Sequence, residues 1–313
     1  MRSPARASRP ARGSGRSSQT APFYIALDIG GTTTRLAATR KRDTADMTPL
    51  DAYPTPQNYH EHLSYLKGYL RSVQDAYGAA PGGIGVSVGG RISRDGASVA
   101  VAPNLPEYVG MPLARDLAVI GNCEVRLAHD TVCGLLGERR FGALHGEARG
   151  AYLTLSTGTG AAVYLSSDGC SGNSGSTGQA LSIEFSHQLL DGNTRQCLCG
   201  QIGCLETYTG GRQLALRYGK PVEAITDTAF WQTFVEKLAL ALINLTQLTR
   251  VAVVAVGGGI ALNRPELIPW LQAAVDARLR NASLRLLPAA LRDRAPLVGA
   301  AQLLALHTPT LLH

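Results

Sequence analysis

Three cysteines within eight residues, with a histidine ten positions ahead of the first, constrain this chain more than any other feature. The stretch is His187, then Cys197-Leu-Cys199-Gly-Gln-Ile-Gly-Cys204-Leu-Glu206. Cys197 and Cys199 are one residue apart, too cramped for an easy disulfide with each other. One imidazole and three thiolates complete a tetrahedral shell for zinc, and a shell closed by four protein ligands is usually structural. The competing reading is an accidental group of buried thiols, because free cysteine is often buried. A metal here would also fix the carriers of two carboxylates, Glu184 three residues before the histidine and Glu206 two after the last cysteine. Two acceptors held on one rigid loop suit a ligand rich in hydroxyl donors. The plain alternative is a pair of solvated surface glutamates.

A second signal stands near the start. In Ile25-Ala-Leu-Asp28-Ile-Gly30-Gly31-Thr32-Thr33-Thr34-Arg35 an apolar strand meets a Gly/Thr turn and a new strand leaves it. Such a turn can hold phosphate through oriented backbone amides, while Asp28 can face a phosphate-bound Mg2+ through water. The same pattern recurs at Tyr152-Leu-Thr-Leu-Ser156-Thr157-Gly158-Thr159-Gly160. A third glycine run, Gly257-Gly258-Gly259, follows the apolar stretch 251–256. Each turn alone reads as an ordinary hairpin; their order and spacing together suit a nucleotide clasped from two sides. The long Gly-x-x-x-x-Gly-Lys loop of P-loop enzymes is not what these residues spell.

These residues resemble the ROK group of sugar kinases and related repressors, within the actin-like ATPase superfamily. That family's first phosphate motif matches Asp28-Ile-Gly30-Gly31-Thr32 with Arg35, and its second matches Ser156-Thr157-Gly158-Thr159-Gly160. Its zinc signature, Glu-x-Gly-His and then Cys-x-Cys-Gly-x-x-Gly-Cys-x-Glu, matches residues 184–187 and 197–206. Gly258 and Gly259 correspond to its adenosine-side glycines, and Leu297-Val-Gly299-Ala300-Ala301 to its closing helix, so the resemblance covers residues 23–306. It implies an α/β fold: two actin-like ATPase (ribonuclease H-like) domains flanking a catalytic cleft, with a zinc-binding loop. The expected division is a disordered basic tail (1–22), a smaller α/β domain (23–128, completed by the C-terminal helix near 295–308) and a larger α/β domain with the zinc loop (129–294).

The family's catalytic residue is an aspartate at a strand end, preceded by asparagine and followed by a Gly-Glu-x-x-x-Gly-Ala helix. Here His129-Asp130 runs into a segment ending Gly137-Glu138-Arg-Arg-Phe-Gly142-Ala143. The resemblance makes Asp130 the general base; from the residues alone, a helix N-cap is an equally natural post for an aspartate. It further implies that Asn104, His129, Asp130, Glu184, His187 and Glu206 contact the sugar, His187 with the ring nitrogen not spent on zinc. Asp28, Gly30, Gly31, Thr32, Thr33, Thr157, Gly158, Thr159, Gly258 and Gly259 would hold Mg-ATP, and His187, Cys197, Cys199 and Cys204 a structural zinc. Four departures stand out. His129 replaces the asparagine, Ser186 the glycine before the zinc histidine, Ser182-Ile183 an Ala-Gly pair, and Gly89-Gly90-Arg91 a Pro-Gly-Pro turn. The phosphate turns and Asp130 persist. The expected activity is therefore transfer of the ATP γ-phosphate to a hexose hydroxyl, with the glucose 6-OH as default. N-acetylmannosamine, a cyclitol or a catalytically silent sugar sensor are the alternatives. Relatives commonly form homodimers or homotetramers.

Composition fits an enzyme of the cytoplasm: 313 residues at 45% hydrophobic content can bury a large core, and no apolar run is long enough to span a bilayer. Cysteine usage suits a reducing compartment with a metal site. The net charge is +7, but Arg2, Arg6, Arg9, Arg12 and Arg16 supply most of it, so nucleic acid is not an expected partner of the body. The acid-free Ser/Ala/Pro/Gly/Arg tail reads as a disordered, dispensable extension, too short for the helix-turn-helix domain of the repressor relatives. Apolar spacing predicts hairpins over 23–39 and 152–164, a crossing hairpin near Asp95-Gly96, strands at 84–88, 125–128 and 251–256, and helices over 61–77, 231–248 and 265–280. The two related hairpins suggest duplicated halves.

Overall fold

The computed structural model describes residues 22–166, 178–306 and the backbone of 311–312; the arginine-rich tail lies outside the described residues. The chain divides into two compact units, one of Met1–Asp130 with Ala300–Leu306, the other built on Thr131–Gly299.

The first unit follows from a run of apolar strands. β1 (Tyr24–Ile29) and β2 (Thr33–Thr39) pair antiparallel, and β3 (Thr48–Pro54) adds to β2 as an edge. The helix α1 (Tyr59–Tyr77) crosses to β4 (Ile84–Val88), which lies parallel to β1. A short hairpin, β5 (Arg91–Ile92) and β6 (Val99–Val101), and the helix α2 (Leu113–Gly121) precede β7 (Val125–His129), parallel to β4. The sheet order is β3-β2-β1-β4-β7. β4 is buried along its whole length, as expected of a central strand covered on both faces. α1 begins two residues before the apolar spacing suggested, because Asn58 caps it by accepting from the Glu61 N–H (2.9 Å). It packs Leu66, Leu70 and Val73 into the core of this unit. β3 escaped the sequence reading: it is a half-exposed edge strand whose Pro49 and Pro54 are tolerated there.

The second unit repeats the plan. After α3 (Asp130–Phe141), β8 (Arg149–Leu155), β9 (Thr159–Ser166) and β10 (Gly178–Ile183) form an antiparallel meander. The helices α4 (Glu206–Thr209), α5 (Gly211–Tyr218) and α6 (Thr228–Thr249) lead to β11 (Val253–Gly257), parallel to β8. α7 (Gly259–Asn263) and α8 (Leu267–Asp276) precede β12 (Arg285–Pro288), parallel to β11; α9 (Ala295–Leu303) and β13 (Leu311–Leu312) end the chain. The order is β12-β11-β8-β9-β10-β13. Each unit thus joins a three-stranded meander to two parallel strands, the duplication that the paired hairpins suggested. The helix expected over 265–280 starts later: Pro265 holds Arg264 at φ −136° and ψ 76°, so α7 stops and α8 starts afresh at Leu267. No helix of the described residues is long and apolar enough to cross a membrane.

Candidate active site

The β1–β2 turn closes through Gly30 N–H donating to Thr33 O (3.0 Å), so this amide is spent on the turn itself. Asp28, near the end of β1, is buried at 7% exposure. Its Oδ1 accepts from Ser87 Oγ on β4 (2.7 Å), and its Oδ2 lies 3.8 Å from the guanidinium of Arg35, its cross-strand partner on β2. The carboxylate is held by both neighbours of β1 and has a fixed aim. Asn104, in the segment after β6, abuts the turn: a methyl group on Gly31 would stand 2.6 Å from Asn104 Cβ, so only glycine fits. Thr32 and Thr33 complete the turn, with Thr33 opening β2.

Asp130 stands where β7 gives way to α3, the first residue of that helix. The imidazole of His129, the last residue of β7, places Nδ1 2.9 Å from Asp130 Oδ1. The histidine that replaces the expected asparagine is therefore a hydrogen-bond partner of the candidate base. Gly89, in the turn that departs from Pro-Gly-Pro, has its Cβ direction 3.8 Å from Asp130 Oδ2.

In the second unit the β8–β9 turn carries Thr157, Gly158 and Thr159. Gly258, at φ +87°, sits against the end of β8: a Cβ there would meet Leu155 O at 2.3 Å. Gly258 and Gly259 begin α7 beside this turn. The Glu206 carboxylate lies on the turn as well, with Oε2 accepting from Thr159 N–H (3.0 Å). The Ser186 hydroxyl donates to the same carboxylate. Burial pushes the Glu206 carboxyl up to about 7, against these two donors, which favour the charged form. Ser186, noted in the sequence only as a departure, thus has a stated partner. Glu184 is exposed at the mouth of the 3-10 turn that presents Ser186 and His187.

The loop between β10 and α4 gathers the four expected metal ligands. One donor atom each from His187, Cys197, Cys199 and Cys204 lies within 4.8 Å of all the others. Cys199 Sγ and Cys204 Sγ are 3.7 Å apart, and Cys197 Sγ is 3.9 Å from His187 Nδ1. A tetrahedral shell with Zn–S bonds of about 2.3 Å puts its sulfurs about 3.8 Å apart, whereas a disulfide needs about 2.0 Å. The donor set and its spacing therefore fit a tetrahedral thiophilic cation. Gln213 donates to Cys197 Sγ (3.0 Å) and Gln201 to Cys204 Sγ (3.1 Å), the type of amide contact that orients thiolate ligands. Burial, with the neighbouring Cys199 and Cys197 adding to it, pushes the Cys204 thiol up to about 12, a direction that a bound cation reverses. Neither glutamine was anticipated: Gln201 fills a variable position of the cysteine signature, and Gln213 lies beyond it.

Comparison with known proteins places the chain in a family. Kanosamine kinase of Amycolatopsis mediterranei is 27% identical over 307 residues, covering 91% of this chain and 97% of that protein. N-acetyl-D-glucosamine kinase of Pectobacterium atrosepticum is 27% identical over 284 residues, 82% of this chain and 90% of its own. The ROK hexokinase of Thermus thermophilus superposes with a TM-score of 0.71 at 25% identity, covering 90% of this chain and 97% of that one. The ROK family model itself matches residues 24–306, and the chain belongs to the ROK family.

Proposed function

We propose that the protein is an ATP-dependent carbohydrate kinase that transfers the γ-phosphate to a hydroxyl of a hexose, with amino and acylamino hexoses ahead of glucose as acceptors. The observation that carries the reading is Asp130 at the β7–α3 junction, paired through Oδ1 with His129 Nδ1, in a chain 27% identical to kinases named for kanosamine and N-acetyl-D-glucosamine. Both names denote hexoses with nitrogen in place of one hydroxyl, which moves glucose from first choice to control.

In this reading Asp130 accepts the proton of the sugar hydroxyl as that oxygen attacks phosphorus in line. Phosphoryl transfer asks little of the base itself, because positioning and charge neutralisation supply most of the rate. His129 fixes the rotamer of Asp130 through its Nδ1 contact. In each unit the backbone amides of the Gly/Thr turn are the groups that offer phosphate their N–H dipoles, and in the second unit Gly258 and Gly259 leave room for the nucleoside. Mg2+ on the phosphates would offset the charge on the transferring group, with Asp28 as the residue of this chain that holds its water shell. Asn104 in the first unit, and Glu184, His187 and Glu206 in the second, are the residues offered to sugar hydroxyls, and zinc on His187, Cys197, Cys199 and Cys204 would keep that loop in shape.

The test is incubation with Mg-ATP and a panel of hexoses, aminohexoses, N-acetylhexosamines and cyclitols, read by mass spectrometry for phosphorylated product. Asp130→Asn should lower kcat by about 100-fold or more, the usual worth of a positioned base, while sugar affinity stays within a few-fold. Turnover at the wild-type rate would remove Asp130 from the role.

A further inference from the structure

We infer that Thr55, assisted by Gln57, is the positioning residue of the first phosphate-binding turn. It holds the turn's carbonyl oxygens away so that the amide edge can meet an anion. The inference rests on the kinase reading above.

A turn binds phosphate through its N–H dipoles only if its own carbonyl oxygens do not face the same ligand. In the β1–β2 turn all four carbonyls have partners. Thr55 Oγ1 donates to Gly30 O at 2.7 Å, Gln57 Nε2 to Gly31 O at 3.2 Å, and Thr55 N–H to Thr32 O at 3.0 Å. Thr33 O takes the Gly30 N–H. A hydroxyl has one proton, and that of Thr55 goes to Gly30 O. The 2.9 Å contact between Thr34 Oγ1 and Thr55 Oγ1 must therefore run from Thr34 to Thr55. Both threonines are buried, so neither hydroxyl can exchange this arrangement for bulk water. The strap is itself fastened: Pro56 O accepts from Tyr108 Oη at 2.8 Å, and Gln57 Nε2 also reaches Thr55 O at 3.2 Å.

The second turn provides an internal comparison. Its carbonyls are also tied back, Ser156 O by Gly211 N–H (3.0 Å), Thr157 O by Arg212 N–H (2.7 Å) and Gly158 O by Ser156 N–H (2.9 Å). There the donors to these three carbonyls are main chain. Only the first turn entrusts the task to side chains, one buried hydroxyl and one amide, which makes it the turn where substitution can separate positioning from fold.

The experiment is calorimetric titration of the full chain with MgADP. Thr55→Val keeps the shape and the backbone bond to Thr32 O but removes the donor to Gly30 O. It should weaken MgADP binding about tenfold, the worth of one buried hydrogen bond. Thr55→Ser, which restores the hydroxyl, should return within about twofold of wild type. In turnover the loss should appear in KM for ATP and not in KM for the sugar, a split that general softening of the unit would not produce. Equal MgADP affinity in Thr55→Val and wild type, or equal losses in Thr55→Val and Thr55→Ser, would overturn the assignment. Should Thr55→Val fail to fold, Gln57→Leu at the exposed end of the strap decides: about threefold weaker binding supports it, and none overturns it. A wild-type chain that binds no MgADP would remove the kinase reading itself, and the inference with it.

Discussion

Acid should loosen the first unit at one buried imidazole. His62 on α1 is 1% exposed. Tyr108 Oη gives its proton to Pro56 O, so at its 2.6 Å contact with His62 Nδ1 it can only accept. That fixes the tautomer: Nδ1 carries the proton, and Nε2 accepts from Tyr53 Oη at 2.8 Å. Neutral His62 is fully satisfied, and burial pushes its pKa down to about 4. An unfolded histidine titrates near 6.5, so between about pH 6.5 and 4 the unfolded chain binds a proton that the native chain refuses. Stability is whole above pH 6.5 and falls as pH drops through this window, with a slope of up to about 1.4 kcal/mol per pH unit and a total of about 3 kcal/mol. The assay is amide exchange of peptides from α1 and β3 at pH 7.5, 6.5, 5.5 and 4.5, with His62→Gln measured beside wild type. Glutamine can give to Tyr108 and accept from Tyr53 without titrating. The protection of wild type should decline relative to the variant by about 2–3 kcal/mol between pH 6.5 and 4.5. Parallel profiles for the two proteins would refute the tautomer argument and the buried-neutral assignment together.

Two further outcomes are expected. Cys199→Ser breaks a shell whose sulfurs stand 3.7 Å apart; metal analysis should find about one zinc per wild-type chain and almost none in the variant. A full equivalent retained by the variant would discard this ligand set. His129→Asn should keep a partner for Asp130 yet redistribute kcat/KM among the sugars of the panel by about tenfold, within the range of one altered polar contact, with KM for ATP unchanged. A uniform fall for every sugar would assign His129 to the chemical step and not to selectivity.

Much of this could be read from the residues because it is local. The apolar run before Asp28 and the Gly/Thr turn after it specify a hairpin within a dozen residues, and the structure pairs Tyr24 with Thr39 and Ile29 with Thr34. The Cys/His spacing specifies a metal loop in the same way. What stayed hidden depends on partners distant in sequence. Thr55 lies 25 residues from Gly30 and in no motif, so nothing marks it as a buttress. Glu206 shows why a motif assigns a residue but not its contact. Sequence reading gave it a sugar-facing role but no sign of its contact with the Thr159 amide, 47 residues away. Edge strand β3 was missed because its sequence alternates with no clean period, its edge position demanding none. The helix over 265–280 starts later than its apolar spacing suggests because Pro265 stops the preceding segment.

The two halves solve one problem at different expense. In each, the segment after the third strand of the meander returns to the first turn and ties back its carbonyls. In the first unit this takes the few residues from Thr55 to Gln57, directly after β3 and directly before α1. In the second, the donors Gly211 and Arg212 arrive only after the loop 184–210, which follows β10. Closing a long loop costs little more entropy than closing a short one, but a long loop has far more ways to hold its ends imprecisely. The four candidate metal ligands lie inside that loop, and Gln213, one residue beyond Arg212, donates to the Cys197 sulfur. A metal bound there would set the register of Gly211 and Arg212 as well as the aim of His187. It would do for the second turn what a three-residue strap does for the first. A metal on this loop would then steady the second turn across a long insertion, and loss of zinc should raise KM for ATP as well as KM for the sugar.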